Sequence, residues 1–173
     1  MKTIAFVVSL ASIAVLASIP REDEKPKPAD ELRILEDMIG EWDEEMTNKQ
    51  AGETTKSITK KTWALGGKFI RMDGAWNPGK NEFHSLLAFD PLTKNYRTWY
   101  FDSAGTMPRN PMTGEWDPKD RKMSWKAVDE GGITTVGMTT VVDKDNHRWT
   151  VKVTDKDGGV LAELEGVNKR RKP

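Results

Sequence analysis

From position 65 to position 159, turn signals recur every ten to fifteen residues or so, and after Glu41 no helical pattern separates them. They read Leu65-Gly66-Gly67, Asn77-Pro78-Gly79, Asp90-Pro91, Ser103-Ala104-Gly105, Asp117-Pro118, Glu130-Gly131-Gly132, Asp143-Lys144-Asp145-Asn146 and Asp157-Gly158-Gly159. Glycine takes the left-handed backbone at no steric cost, and Asp and Asn bond to their own backbone, so these clusters reverse the chain. Between them only strand-length runs fit. The spacing predicts about ten strands, near 41–47, 54–63, 68–76, 82–90, 95–102, 111–116, 121–128, 133–142, 147–154 and 160–168. The segment from Thr106 to Met112, with Pro108 and Pro111, breaks the spacing and is expected to be a longer, lid-like loop.

The pattern within the runs says how such strands pack. Met123, Trp125 and Ala127 alternate with Lys122, Ser124 and Lys126, and Trp149, Val151 and Val153 alternate with Arg148, Thr150 and Lys152. Each of these strands has one dry and one wet face. The hairpin from Phe83 to Gly105 differs, with Phe83, Leu87 and Phe89 on one parity and Leu86 and Ala88 on the other, then Tyr96 and Tyr100 against Trp99 and Phe101. Apolar residues on both parities predict the most buried hairpin of the sheet. A long antiparallel meander leaves two raw edges, and closure into an up-and-down barrel removes both. The expected fold is therefore all-β, an antiparallel up-and-down barrel of about ten strands with one short N-terminal helix at its entrance. In that helix Asp30 is the expected N-cap, Leu32, Leu35, Met38 and Ile39 form the apolar stripe, and Gly40 is the stop.

The N-terminal residues divide the chain further. Lys2 followed by the apolar run Ile4 to Ala17 reads as a signal peptide over residues 1–19, since a membrane span needs roughly 18 or more apolar residues. An uncleaved anchor is the alternative. Residues 20–29 form a charged, proline-rich linker, 30–170 the barrel domain and 171–173 a basic tail. The implied location is secreted or periplasmic, with no membrane attachment after cleavage. The chain has no Cys, so the exported domain has no disulfide and is held by its core. Lys+Arg 27 against Asp+Glu 27 becomes 26 against 27 once Lys2 is removed, and a charge this close to zero argues against nucleic acid as partner.

The order of the segments LEDMIGEW (Leu35 to Trp42), WALGGKFI (Trp63 to Ile70), LLAFD, TWYFDSAG and GEWDPKDRKMSW (Gly114 to Trp125) resembles an exported bacterial family of unknown function in the calycin, or lipocalin-like, superfamily. The resemblance covers Leu35 to about Arg170. It implies a calycin-type barrel with a helix at the entrance and an apolar ligand, and brings no catalytic residues with it. The haem-binding nitrobindin-like calycins share the Gly-x-Trp entry motif, here Gly40-Glu41-Trp42. They use a His near the C-terminal strand as axial ligand, and Val160 to Asn168 contains none, so no cofactor is expected.

Reactive groups are sparse. His147 is in phase with Trp149 and Val151 and is expected to point inward near a rim, and His84 is in phase with Leu86 and Ala88. Each has a bland reading as a hydrogen-bonded histidine beside a functional one as base or iron ligand. Zinc needs three or four converging ligands, and no Cys is available. The acidic turns at 143–146 and 155–158 lack the third ligand, central Gly and terminal Glu of a calcium loop. The best set an enzyme would have is His84, Asp90, Tyr100, Asp102 and His147 with Arg97, and it carries no nucleophile–base spacing.

Seven tryptophans lie about one per strand. An empty pocket of about 300 Å³ would cost about 7 kcal/mol, comparable to a whole domain's stability. Either the rings plug the barrel or its cavity is wet or occupied. The expected lining, at the interior or rim, is Trp42, Trp63, Phe83, Leu87, Trp99, Tyr100, Trp125, His147 and Trp149. The leading expectation is a small apolar or amphipathic ligand in the barrel. The alternative is a filled barrel acting through its outer surface, as a homodimer for example, and an enzyme using the rim His, Asp and Tyr stands behind both.

Overall fold

The computed structural model describes residues 29–76, 80–105 and 110–172. The expected signal peptide, residues 20–28 of the linker, the turn Asn77-Pro78-Gly79 and residues 106–109 of the lid-like loop lie outside the described residues. The chain enters through α1 (Asp30–Arg33) and a 3-10 turn (Glu36–Met38), and a second 3-10 turn lies at Leu65–Gly67. Ten strands form the rest: β1 (Gly40–Asn48), β2 (Glu53–Ala64), β3 (Phe69–Trp76), β4 (Asn81–Asp90), β5 (Asn95–Asp102), β6 (Met112–Asp117), β7 (Lys122–Val128), β8 (Thr134–Asp143), β9 (Asn146–Thr154) and β10 (Val160–Arg170). Each pairs antiparallel with its sequence neighbours, and β10 returns to β1 with Trp42 opposite Arg170 and Asn48 opposite Leu164, closing the barrel.

Closure gives every strand an inside and an outside. On β2, Ser57, Thr59 and Lys61 are buried while Ile58 between them is exposed. The core sits at one end of the lumen, where Leu32 and Leu35 plug the barrel against Ile70, Tyr96 and Met123. Tyr96 Oη donates to the Glu31 carbonyl at 2.8 Å and Ala29 N–H to the Gly67 carbonyl at 3.1 Å, which pins the plug to β5 and to the β2–β3 turn.

Two expectations are corrected. The helix is a single α turn and not two or three: the chain leaves helical geometry at Leu35 (φ −99°, ψ 10°), and the N-cap is Ala29, with Asp30 inside the turn. Leu32 on the turn and Leu35 just after it are both buried. The β4–β5 hairpin is also not buried on both faces. Leu86 pairs with Trp99 and His84 with Phe101 on the outer parity, where Leu86 and Trp99 are half-buried and Phe101 is 39% exposed. Apolar outer residues here shield one another across the strands, a pairing that stabilises a sheet without a second layer.

Candidate functional site

Above the plug the lumen holds a cavity of about 260 Å³. Its apolar wall is made by Ile70, Met72, Phe83, Leu87, Trp125 and Val151. Toward the end away from the plug, Trp76, Phe83 and Tyr100 stack across β3, β4 and β5 with ring centroids 5.4 and 5.6 Å apart.

The space survives among so many rings because of where glycine stands. Phe83 lies opposite Gly74, Trp125 opposite both Gly114 and Gly137, and Trp149 opposite Gly166. The Phe83, Trp125 and Trp149 rings lie over Gly74, Gly114 and Gly166. A Cβ built on Gly74, Gly114 or Gly166 would fall 2.3–2.4 Å from an atom of the facing ring. Each aromatic thus covers a neighbouring strand and leaves the axis of the barrel open, a cross-strand device that also supports the glycine backbone.

On the side formed by β1, β2, β9 and β10 the lining turns polar, with Glu44, Lys61, His147 and Asn168. Glu44 accepts a 2.5 Å hydrogen bond from the Trp149 indole, and burial raises its pKa against the opposing pull of Lys61, Trp149 and Asn168. Lys61 is 7% exposed, and burial lowers its pKa to about 8, against the pull of Glu44. No carboxylate lies within ion-pair distance of its ammonium among the described residues. It lies over the Trp42 ring, 5.5 Å from the centroid. His147 is 1% exposed and lies on Trp42 at 4.1 Å, and neither ring nitrogen has a hydrogen-bond partner. Burial, then the cations Lys61, Arg170 and Arg121, push its pKa down to about 3, so the ring is neutral.

Arg170 holds this side together from beneath. Its guanidinium donates to the carbonyls of Asp37 (2.6 Å), Ile39 (2.7 Å) and Lys144 (2.7 Å), pairs with Asp145 at 3.1 Å and lies 4.3 Å over the Trp42 ring. Gly40, at φ 134°, leaves room for it: a Cβ there would meet Arg170 Nη1 at 2.4 Å.

Of the residues expected to line the interior, Phe83, Leu87, Tyr100, Trp125, His147 and Trp149 face the cavity. Trp42 is fully buried beneath His147, and Trp63 packs on the plug cluster. Trp99 is on the outer parity with Arg97 and Phe101 and does not reach the lumen. Of the set an enzyme would have used, Tyr100 and His147 line the cavity, while His84, Asp90 and Arg97 do not. His84 is outside, its Nδ1–H bonded to Asp73 at 2.5 Å, while Asp90 caps its own turn and pairs with Arg97 at 3.0 Å. Among the described residues no group of three or more His, Asp or Glu side chains converges as a metal site would require.

Glu44, Lys61 and Asn168 escaped the sequence reading. Glu44 stands in Glu41-Trp42-Asp43-Glu44-Glu45 and Lys61 in Lys60-Lys61, runs that look like solvated faces. The available signal was parity: Glu44 is two residues from Trp42, and Lys61 two from Trp63.

The model of the family described as "Protein of unknown function (DUF1579)" matches residues 27–170. The chain belongs to this family. A search of curated proteins returns no match. Among solved structures, this DUF1579 chain is similar to Rv2717c from M. tuberculosis, with a TM-score of 0.62 and 10% identity over 84% of this chain and 100% of the other. It is also similar to the S-type phycobiliprotein lyase from Guillardia theta, with a TM-score of 0.56 and 12% identity over 82% of this chain and 92% of that one. A protein of unknown function from the DUF3598 family of Nostoc punctiforme gives 0.56 and 10%, covering 84% and 51%. At these identities the likeness is one of fold, the lipocalin-like barrel, which the DUF1579 chain shares.

Proposed function

We propose that this DUF1579 protein is an exported single-domain barrel that holds a small apolar or amphipathic molecule in its lumen. The observation that carries the reading is the cavity of about 260 Å³, apolar along one side and charged along the other. A sealed, dry void of that size would cost about 6 kcal/mol at roughly 24 cal/mol per Å³, a large part of a domain's 5–15 kcal/mol, so the space is one that water or a ligand fills. Lumen side chains held off the axis by glycine backbones are consistent with a space kept for an occupant. The fold neighbour named as a phycobiliprotein lyase lends support at the level of architecture.

Trp125 and Trp149 line the cavity, so intrinsic fluorescence reports its occupancy. Titration with fatty acids, flavonoid-like aromatics and haem is expected to give a saturable change with at least one class. A flat response to all three overturns the reading. Export follows from residues 1–19 and has its own check: chain recovered from the periplasm or medium of an expressing bacterium is expected to have lost about that segment by intact mass.

A second reading, a module working through its outer surface, draws on Leu86, Trp99 and Phe101, which lie together on the outside of β4 and β5. Light scattering that returns a strict monomer removes its dimeric form.

A further inference from the structure

The polar side of the lumen contains one charge whose hydrogen-bonding capacity is unspent. Arg170 is taken up by Asp145 and three carbonyls, Arg121 by Asp37 at 2.7 Å, and Glu44 by the Trp149 indole. Lys61 carries three donor protons, is 7% exposed, faces the cavity, and has no hydrogen-bond or ion-pair partner among the described residues. Beside it stands His147, 1% exposed, also lining the cavity, with both ring nitrogens unpartnered. A fully buried imidazole with both nitrogens unpartnered is rare in a folded protein, because it leaves an unmet desolvation cost, and here it stands beside an ammonium that no side chain bonds.

What would satisfy both is an acceptor with more than one oxygen. A cationic head group is repelled by Lys61, and a neutral one offers the ammonium a weaker hydrogen bond than a carboxylate does. A doubly charged phosphate brings more negative charge than one ammonium offsets, with Glu44 already present. A monocarboxylate matches, and Glu44, whose burial already favours its protonated form, accommodates the added negative charge by taking up a proton. Size sets the other end of the molecule. At about 30 Å³ for each water-sized group, 260 Å³ holds about nine such groups. That fits a medium-chain body along Ile70, Leu87 and Phe83.

We propose that the ligand of this barrel is a short amphipathic monocarboxylate whose head is received by the Lys61 ammonium and the His147 N–H. The proposal rests on the lumen being the binding site. It adds the chemistry of the head and the length of the tail.

The test compares octanoate, 1-octanol and octylammonium, which share a chain and differ in head, by tryptophan fluorescence and calorimetry on the mature protein at neutral pH. Octanoate is expected to bind saturably and at least about tenfold more tightly than octanol, the increment of a charge-assisted hydrogen bond. Octylammonium is expected to be the weakest. Lys61→Met is expected to bring octanoate down to the level of octanol while leaving octanol binding in place. Equal affinities for octanoate and octanol in the wild type overturn the assignment of the head group, whether or not the variant folds, as does undiminished octanoate binding by a folded K61M. Binding of palmitate in clear preference to octanoate overturns the assignment of length. If none of these chains binds, the reading of the lumen falls, and the assignment with it.

Discussion

His147 lies on the Trp42 ring with both nitrogens unsatisfied, and its folded-state pKa of about 3 is far below the ordinary 6.5. A base that is harder to protonate when folded makes stability depend on pH in one direction. Above about pH 6.5 neither state is protonated and the group contributes no slope. As pH falls from 6.5 toward 3 the unfolded chain takes up the proton and the folded chain does not, so stability is lost at up to about 1.4 kcal/mol per pH unit. Glu44 works the other way: its raised pKa means that the folded state binds its proton first, adding stability as pH falls through that raised value toward 4.5. Comparing wild type with His147→Phe cancels the Glu44 contribution. The variant is expected to gain on the wild type steadily below pH 6.5 in chemical denaturation. Parallel curves down to pH 4 would mean that the ring titrates normally. The inward direction of His147 was legible from its phase with Trp149, but its missing partners were not, because hydrogen bonding depends on which strands close around a residue.

At the scale of the strand, turn chemistry was nearly sufficient. Asp, Asn and Gly clusters placed the ten strands within a residue or two, because each cluster is a local device whose geometry needs no tertiary support. Helix length was not legible locally: the apolar stripe from Leu32 to Ile39 is real, but the chain leaves helical geometry at Leu35 and passes into a 3-10 turn. The glycines inside β3, β6, β8 and β10 are intermediate. A glycine in mid-strand signals close approach, yet only the register shows that Gly74, Gly114 and Gly166 each receive a ring from the strand beside them, while Gly137 faces the Thr150 carbonyl. Gly166→Ala puts a methyl group 2.3 Å from the Trp149 ring, so the indole must swing toward the axis and loosen its bond to Glu44. The expected result is a loss of about 1–3 kcal/mol together with loss of ligand-dependent fluorescence change. An unchanged titration would show that Trp149 has room to move elsewhere.

At the scale of the whole molecule, the barrel is sealed at one end by two leucines and closed around its circumference by β1 and β10. Leu35 is 1% exposed, and truncating it to alanine is expected to cost about 2–5 kcal/mol. For a domain of this size that is a drop of roughly 10 °C in melting temperature, and a shift of only a degree or two would show that the plug is dispensable. Closure also decides how the protein answers force. β1 begins and β10 ends at the same rim, with Trp42 facing Arg170, so tension on the two chain ends pulls this pair apart sideways and the load passes to the next pair only after the first has failed. The barrel should peel at low tension when an optical trap holds it by its ends. It should resist far more when handles at Gln50 and Arg171 drag the same two strands lengthwise past each other.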